Sequence, residues 1–293
     1  MINKIKINKN IIIGTAQLGE NYGVANNNKN FNIKNRIEFL NFAYNNGFIN
    51  YDTAYAYKNS HKIIGEWLQE KHITPNIYTK LPLLNNSNFE KILSIFTASL
   101  KQLNVKRIEG LLLHNPNDWH SNDIKPFVDY VLKNKLIKYF GLSVYSANDI
   151  FIDNNIKIIQ APGNIFNQEI FYSDKLNEFN LNNGEIHIRS IFIQGLLLMR
   201  PEDIPQKLDA LKKPLYYIHN FAKEIKIDVA SLAILCVKKL MPNAKIVVGL
   251  DSIVQVQNLL NIDNTTMIDS DIEEIIKFGK MNFNRLWDPS NWK

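Results

Sequence analysis

The hydrophobic positions along the chain change period as they go. Short β-branched or aliphatic runs alternate with longer stretches in which apolar residues recur every three or four positions. These are the patterns of buried strands and amphipathic helices. Ile11-Ile12-Ile13-Gly14 reads as a first strand, and Ile33, Ile37, Leu40 and Tyr44 mark a helical face that Asn46-Gly47 stops. Phe48 to Tyr51 is a second strand, followed by a helix opened by Ser60 and carrying Ile63, Ile64, Trp67 and Leu68. Asn76 to Lys80 is a third strand. Ser87 and Glu90 have capping-box spacing ahead of a helix bearing Ile92, Phe96, Leu100 and Leu103. Leu111-Leu112-Leu113 is an unbroken apolar run, as expected of a parallel strand buried on both faces. Further strands are expected at 137–143, 156–160, 186–190 and 246–249, and helices near 123–134, 147–154, 174–181, 206–226, 229–240 and 253–261.

Eight alternating strand–helix units favour a closed (β/α)8 TIM barrel over an open doubly wound sheet. No Gly-rich or Pro-rich linker divides the chain, so residues 1–293 are expected to form one domain. The tail from about Ser270 exceeds eight units, adds a helix, and ends in Trp287-Asp288-Pro289-Ser290-Asn291-Trp292.

Composition narrows the class. Hydrophobic residues make up 45% and charged residues 21%, which suits a folded domain rather than a disordered chain. Lys and Arg outnumber Asp and Glu by 34 to 28, a formal charge of +6. The lysines are scattered singly, without the interleaved arginines and aromatics of a nucleic-acid surface, so no nucleic-acid partner is expected. The single cysteine, Cys236, excludes an internal disulfide framework, fits a reducing compartment and is expected in the core. No apolar run approaches the roughly 20 residues of a membrane span, and Met1 to Asn10 lacks a signal-peptide core. A cytoplasmic protein without a membrane partner is the expectation.

Barrel chemistry sits at the C-terminal ends of the strands, and here those ends are polar. The second strand runs into Asp52 with Tyr57 shortly after; the third ends in Lys80, the fourth in His114, the fifth in Ser143, the sixth in Gln160, and the seventh in Arg189-Ser190. Each alone would suit an ordinary structural role. Together they put an acid, a phenol, an amine and an imidazole on one rim. Gly141-Leu142-Ser143-Val144-Tyr145 lacks the second glycine of a nucleophile elbow. No Gly-x-Gly-x-x-Gly follows a strand, and the histidines show no metal-ligand spacing, so no metal is expected. The residues alone leave three readings open: an oxidoreductase, a lyase or isomerase forming a Schiff base on Lys80, and a nucleotide-sensing module with little turnover.

Over nearly its whole length the sequence resembles the aldo-keto reductases. The resemblance rests on Gly14-Thr15-Ala16-Gln17-Leu18-Gly19, Asp52-Thr53-Ala54-Tyr55-Ala56-Tyr57-Lys58-Asn59-Ser60, Tyr78-Thr79-Lys80, Leu111-Leu112-Leu113-His114, Gly141-Leu142-Ser143, Asp228 to Ala233 and Val247-Val248-Gly249. Gln17-Leu18-Gly19, Tyr22-Gly23 and the run Arg189 to Gly195 are similar to bacterial members found among surface-polysaccharide biosynthesis proteins. The resemblance implies reduction of a small, possibly sugar-derived aldehyde or ketone. Tyr57 would act as general acid, Lys80 would lower its pKa, Asp52 would hold Lys80, and His114 would orient the carbonyl.

It implies cofactor contacts from Gly14, Thr15, Ser143, Gln160, Arg189, Ser190, Phe192, Gly195, Gly249, Ser252, Gln255 and Asn258, and substrate contacts from Tyr22, Trp119 and Asn164. The tail tryptophans would join that pocket or pack ordinarily. The sequence does not fix the oligomeric state; many relatives work as monomers. The sequence departs from the family pattern at Lys58, where Gly is common, and at His61, where Glu is common. Val144 replaces a frequent Asn. Asp251 stands where Lys or Arg often meets a 2′-phosphate. The expected cofactor is NADP(H), with NAD(H) as the alternative.

Overall fold

The structure, a computed structural model, describes residues 7–19, 33–250, 252–262, 269–280 and 285–292. Its strands are β1 (Ile11–Gly14), β2 (Asn50–Asp52), β3 (Asn76–Leu81), β4 (Ile108–Leu113), β5 (Ile137–Ser143), β6 (Ile156–Pro162), β7 (Glu185–Arg189) and β8 (Lys245–Gly249). Every neighbouring pair is parallel, and β1 pairs with β8, which closes the barrel. Helices α1 (Ala16–Gly19), α2 (Ile33–Asn45), α3 (Ser60–Lys71), α4 (Phe89–Gln102), α5 (Ile124–Lys133), α6 (Asp174–Leu181), α7 (Lys212–Glu224), α8 (Val229–Leu240), α9 (Ile253–Asn261) and α10 (Asp269–Gly279) complete it. The chain is a (β/α)8 TIM barrel. Among the described residues no helix is long and apolar enough to cross a membrane.

Strand alternation divides the core in two. Ile12, Tyr78, Leu112, Ile158 and Val247, with Tyr139, fill the barrel interior, while Ile11, Ile13, Leu111 and Leu113 pack outward under the helices. Gly110 supplies no side chain to the interior because none fits: a Cβ there would lie 2.6 Å from the Tyr78 ring. Towards the strands' N-terminal ends the interior is sealed by charge. Lys245 Nζ reaches Glu185 Oε2 at 2.7 Å and donates to Tyr78 Oη at 2.9 Å, and Glu185 Oε1 lies 2.6 Å from His187 Nε2. Burial pushes the Glu185 carboxyl up, but His187 and Lys245 outweigh it and hold it at about 2.

Four local expectations are corrected. The α4 cap is Asn88, whose side chain accepts from Lys91 N, while Ser87 turns back to Leu84 O. Ile33 is half exposed, and Phe39 takes its place on the buried face of α2. The stretch 147–154 holds only a short 3-10 turn at Ala147–Asp149, opened by a capping box in which Asp149 accepts from Ser146 N. The helix expected over 206–226 is a 3-10 segment, Gln206–Leu211, followed by α7. Pro214 is tolerated because it falls in the first turn of α7. Cys236 and Trp287 are buried in the core.

Candidate active site

β2 and β3 lie side by side with Asp52 opposite Tyr78, so inward-pointing Lys80 projects just beyond Asp52 on the same rim. Lys80 Nζ lies 2.7 Å from Asp52 Oδ1 and 2.6 Å from Oδ2, and donates to Thr53 O at 3.2 Å. Three acceptors thus take the three ammonium protons. Both residues are buried. Burial pulls the Lys80 pKa below its ordinary range, and the Asp52 carboxylate pulls it back. Asp52 Oδ1 also accepts from Gln160 Nε2 at 2.8 Å.

Tyr57 sits on the turn after β2, its N–H donating to Ala54 O at 3.0 Å and its carbonyl accepting from Ser60 N at 2.8 Å. Lys80 Nζ lies 5.5 Å from the Tyr57 ring centroid. A hydroxyl brace fixes this turn from behind. Thr15 Oγ1 donates to Asp52 O at 2.9 Å, and Ser60 Oγ lies 2.8 Å from Thr15 Oγ1 and 3.0 Å from Thr53 Oγ1. Thr15 is fully buried with its hydroxyl engaged there.

Gly19 carries no functional signal in the sequence, yet it abuts the Tyr57 turn. A Cβ on it would stand 1.9 Å from Tyr57 O and 2.8 Å from Tyr57 C, both rigid backbone atoms. Gly19→Ala is therefore expected to push the Tyr57 turn away and lower kcat about tenfold or more, since ångström-scale misplacement can cost on the order of 100-fold. Steady-state kinetics beside an unchanged far-UV spectrum will check this; undiminished kcat would show the contact to be irrelevant. Lys58, where the resemblance expects Gly, has φ +41°, the left-handed region that glycine tolerates best.

His114 follows β4 and is half-buried. Burial lowers its pKa to about 4, helped by Lys80 and Arg189 and opposed by Asp52. It is neutral near pH 7 and can donate an N–H but not serve as a strong acid. His61, buried in the first turn of α3 with Nε2 2.8 Å from Thr79 Oγ1, is also lowered to about 4, by burial and then Lys80. The unfolded chain protonates each histidine near pH 6.5, before the folded one does. Stability present at neutral pH is therefore lost as pH falls from about 6.5 to 4, by up to ~1.4 kcal/mol per pH unit for His61. His61→Gln is expected to flatten the loss of Tm between pH 6.5 and 4.5; an unchanged slope would exclude His61 as its source.

The residues expected around a cofactor line the same rim. Ser143 and Gln160 are paired neighbours at the ends of β5 and β6, both buried. Gln160 Nε2 is taken by Asp52, but its Oε1 is buried without a partner. An unmet acceptor there fits a carboxamide N–H, so the residues suit a nicotinamide. Arg189 is pinned by Nη2 to Val144 O at 2.9 Å and lies 5.0 Å from the Tyr145 ring centroid. Ser190 and Gly195 both have positive φ, as do Ile193 and Gln194 between them. For β-branched Ile193 this is a strained conformation of the kind found at ligand-binding loops. Gly14 is buried beside Gly249. A cavity of about 110 Å³ opens beside Phe192, Gly249, Gln255 and Asn258. Ser252 caps α9, accepting from Gln255 N at 3.4 Å.

Two of the residues expected at the substrate also have structural partners. Asn164 is buried and braces two loops, its Nδ2 donating to Ser190 O at 3.2 Å and its Oδ1 accepting from Phe166 N and Asn167 N at 2.9 Å. Trp119 is buried against Phe140 with Lys125 over its ring, a packing role. Tyr22 and Asp251 lie outside the described residues. Among the described residues no three metal-binding side chains cluster.

The sequence matches the family model described as "Aldo/keto reductase family" over residues 10–280. No curated protein sequence matches it. Among solved structures, the glycerol dehydrogenase of Gluconobacter oxydans is 19% identical, with TM-score 0.75 over 92% of this chain and 90% of that one. The thermostable aldo-keto reductase Tm1743, solved with the inhibitor epalrestat, is 18% identical, with TM-score 0.69 over 92% and 94%. An aldo-keto reductase of the silkworm Bombyx mori is 17% identical, with TM-score 0.67 over 92% and 83%. At these identities the structural likeness is one of fold.

Proposed function

Because the chain belongs to the aldo/keto reductase family, an oxidoreductase family that generally uses nicotinamide cofactors, we propose that it reduces a small aldehyde or ketone to an alcohol, a sugar-derived carbonyl foremost. The observation that carries this is the buried Lys80 ammonium held by both Asp52 oxygens beside the Tyr57 ring.

Carbonyl reduction needs a proton delivered to oxygen as carbon is reduced. Tyr57 donates it. The fixed positive charge of Lys80 favours the phenolate left behind and eases release of a proton whose ordinary pKa is about 10. Asp52 keeps Lys80 charged and oriented, and Gln160 orients Asp52. Neutral His114 donates a hydrogen bond to the carbonyl oxygen and holds it towards Tyr57. In the oxidative direction the Tyr57 phenolate is the base. Gln160 Oε1 and Ser143 would hold the carboxamide of a nicotinamide, Arg189 would flank its ring, and the segment from Ser190 to Gly195 would follow the pyrophosphate. A reduced nicotinamide bound there supplies the hydride. A Schiff base on Lys80 is disfavoured, since all three of its protons are committed.

The test is absorbance at the reduced-cofactor band with sugar aldehydes, ketoses and aromatic aldehydes. Carbonyl-dependent loss of absorbance is expected. Tight cofactor binding with no oxidation across the panel would favour a sensing module instead.

A further inference from the structure

We propose that the cavity beside β8 selects NAD(H) and rejects the 2′-phosphate of NADP(H), reversing the cofactor preference implied by the resemblance. The inference rests on the nicotinamide-dependent reading above.

The cavity lies at the C-terminal end of β8, between the loop after β7 and the first turns of α8 and α9. In barrels of this kind the loops after strands seven and eight commonly hold phosphate groups. Its charge is wrong for an additional one. Among the described residues lining it, Asp228 alone is charged, and it is acidic. Asp228 caps α8, accepting from Ser231 N at 2.8 Å and Ser231 Oγ at 2.5 Å. The anion-binding end of that helix is thus already occupied by a carboxylate.

The sequence extends the same asymmetry. From Ile246 to Ile276 it contains no Lys or Arg but six acids, Asp251 among them, although the whole chain carries +6. Two cations near this stretch are engaged elsewhere. Lys245 is held by Glu185 and Tyr78, and Lys239 by Asp269 and Glu273.

A phosphate monoester carries about −1.5 to −2 charges at neutral pH. One helix N-terminus offers only about half a positive charge, and that of α9 is already capped by Ser252. A ribose 2′-hydroxyl needs no counter-charge. The Asp228 carboxylate and the Gln255 and Asn258 amides can accept and donate to it. A carboxylate on the ribose 2′-hydroxyl accompanies NAD in doubly wound dinucleotide-binding sheets, and the same chemistry applies here.

The test is separate titration with NADH and NADPH, read by quenching of tryptophan fluorescence. NADH is expected to bind at least tenfold more tightly. Equal or tighter binding of NADPH would overturn the selection while leaving the nicotinamide reading intact. Failure of both to bind would overturn that reading and the inference with it. Asn258→Arg, which adds a cation to the cavity, is expected to raise the affinity for NADPH relative to NADH at least tenfold. An unchanged ratio in the folded variant would show that the 2′ position lies elsewhere.

Discussion

Tyr57→Phe is expected to lower kcat for carbonyl reduction by about 10²- to 10⁴-fold, the usual worth of a positioned general acid. No neighbour can take over. His114, with its pKa near 4, carries no spare proton at pH 7. The Lys80 protons are committed to Asp52 and Thr53 O. The substitution removes one oxygen and keeps the ring over which Lys80 sits, so the Kd of the reduced cofactor should stay within about twofold. Stopped-flow measurement of hydride transfer beside a cofactor titration separates the two quantities. A loss of less than tenfold in transfer would mean that the proton comes from elsewhere.

The second large effect concerns the buried ion pair. Asp52→Asn leaves the Lys80 ammonium beside a neutral amide, and Lys80→Met leaves the Asp52 carboxylate with only Gln160 Nε2 and no counter-charge. Each single change is expected to cost about 3–5 kcal/mol of folding stability, because it strands a charge away from water. The double variant Asp52→Asn/Lys80→Met strands none, and should be more stable than either single one. Urea denaturation will show this as a partial recovery of the midpoint. Activity should stay at least 100-fold down in the two variants that lack Lys80, since neither keeps a cation beside Tyr57. Singles costing less than 1 kcal/mol, or a double variant that behaves as their sum, would contradict the buried-pair account.

Much of this was legible in the chain because the relevant information is local or periodic. The eight apolar runs carry their own burial, and a strand end is visible as the point where the run meets a polar residue. Asp52, Lys80, His114 and Gln160 stand at such points. What stayed hidden depends on distant partners. Ser87 and Asn88 are adjacent and both able to cap α4. The loop before them is tied down when Leu84 N donates to Asp118 Oδ2, a contact 34 residues away in sequence. Thr15, Asn164 and Trp119 have residue types that suit a binding site. Only the fold reveals that Ser60, Ser190 O and Phe140 already engage them. Gly19 left no signal beyond being a glycine, since its meaning is the closeness of Tyr57 O.

The sealed end of the barrel has a kinetic consequence. Tyr78, Glu185, His187 and Lys245 close the strands' N-terminal side, so ligands reach the site from the opposite rim. Gln160 lies at its fully buried floor, whereas Tyr57 and His114 are half-buried nearer the mouth. Whatever meets Gln160 has to arrive before the molecule that meets Tyr57, and leaves after it. The enzyme should therefore follow a compulsory order, with product inhibition competitive only between the two forms of the deeper ligand.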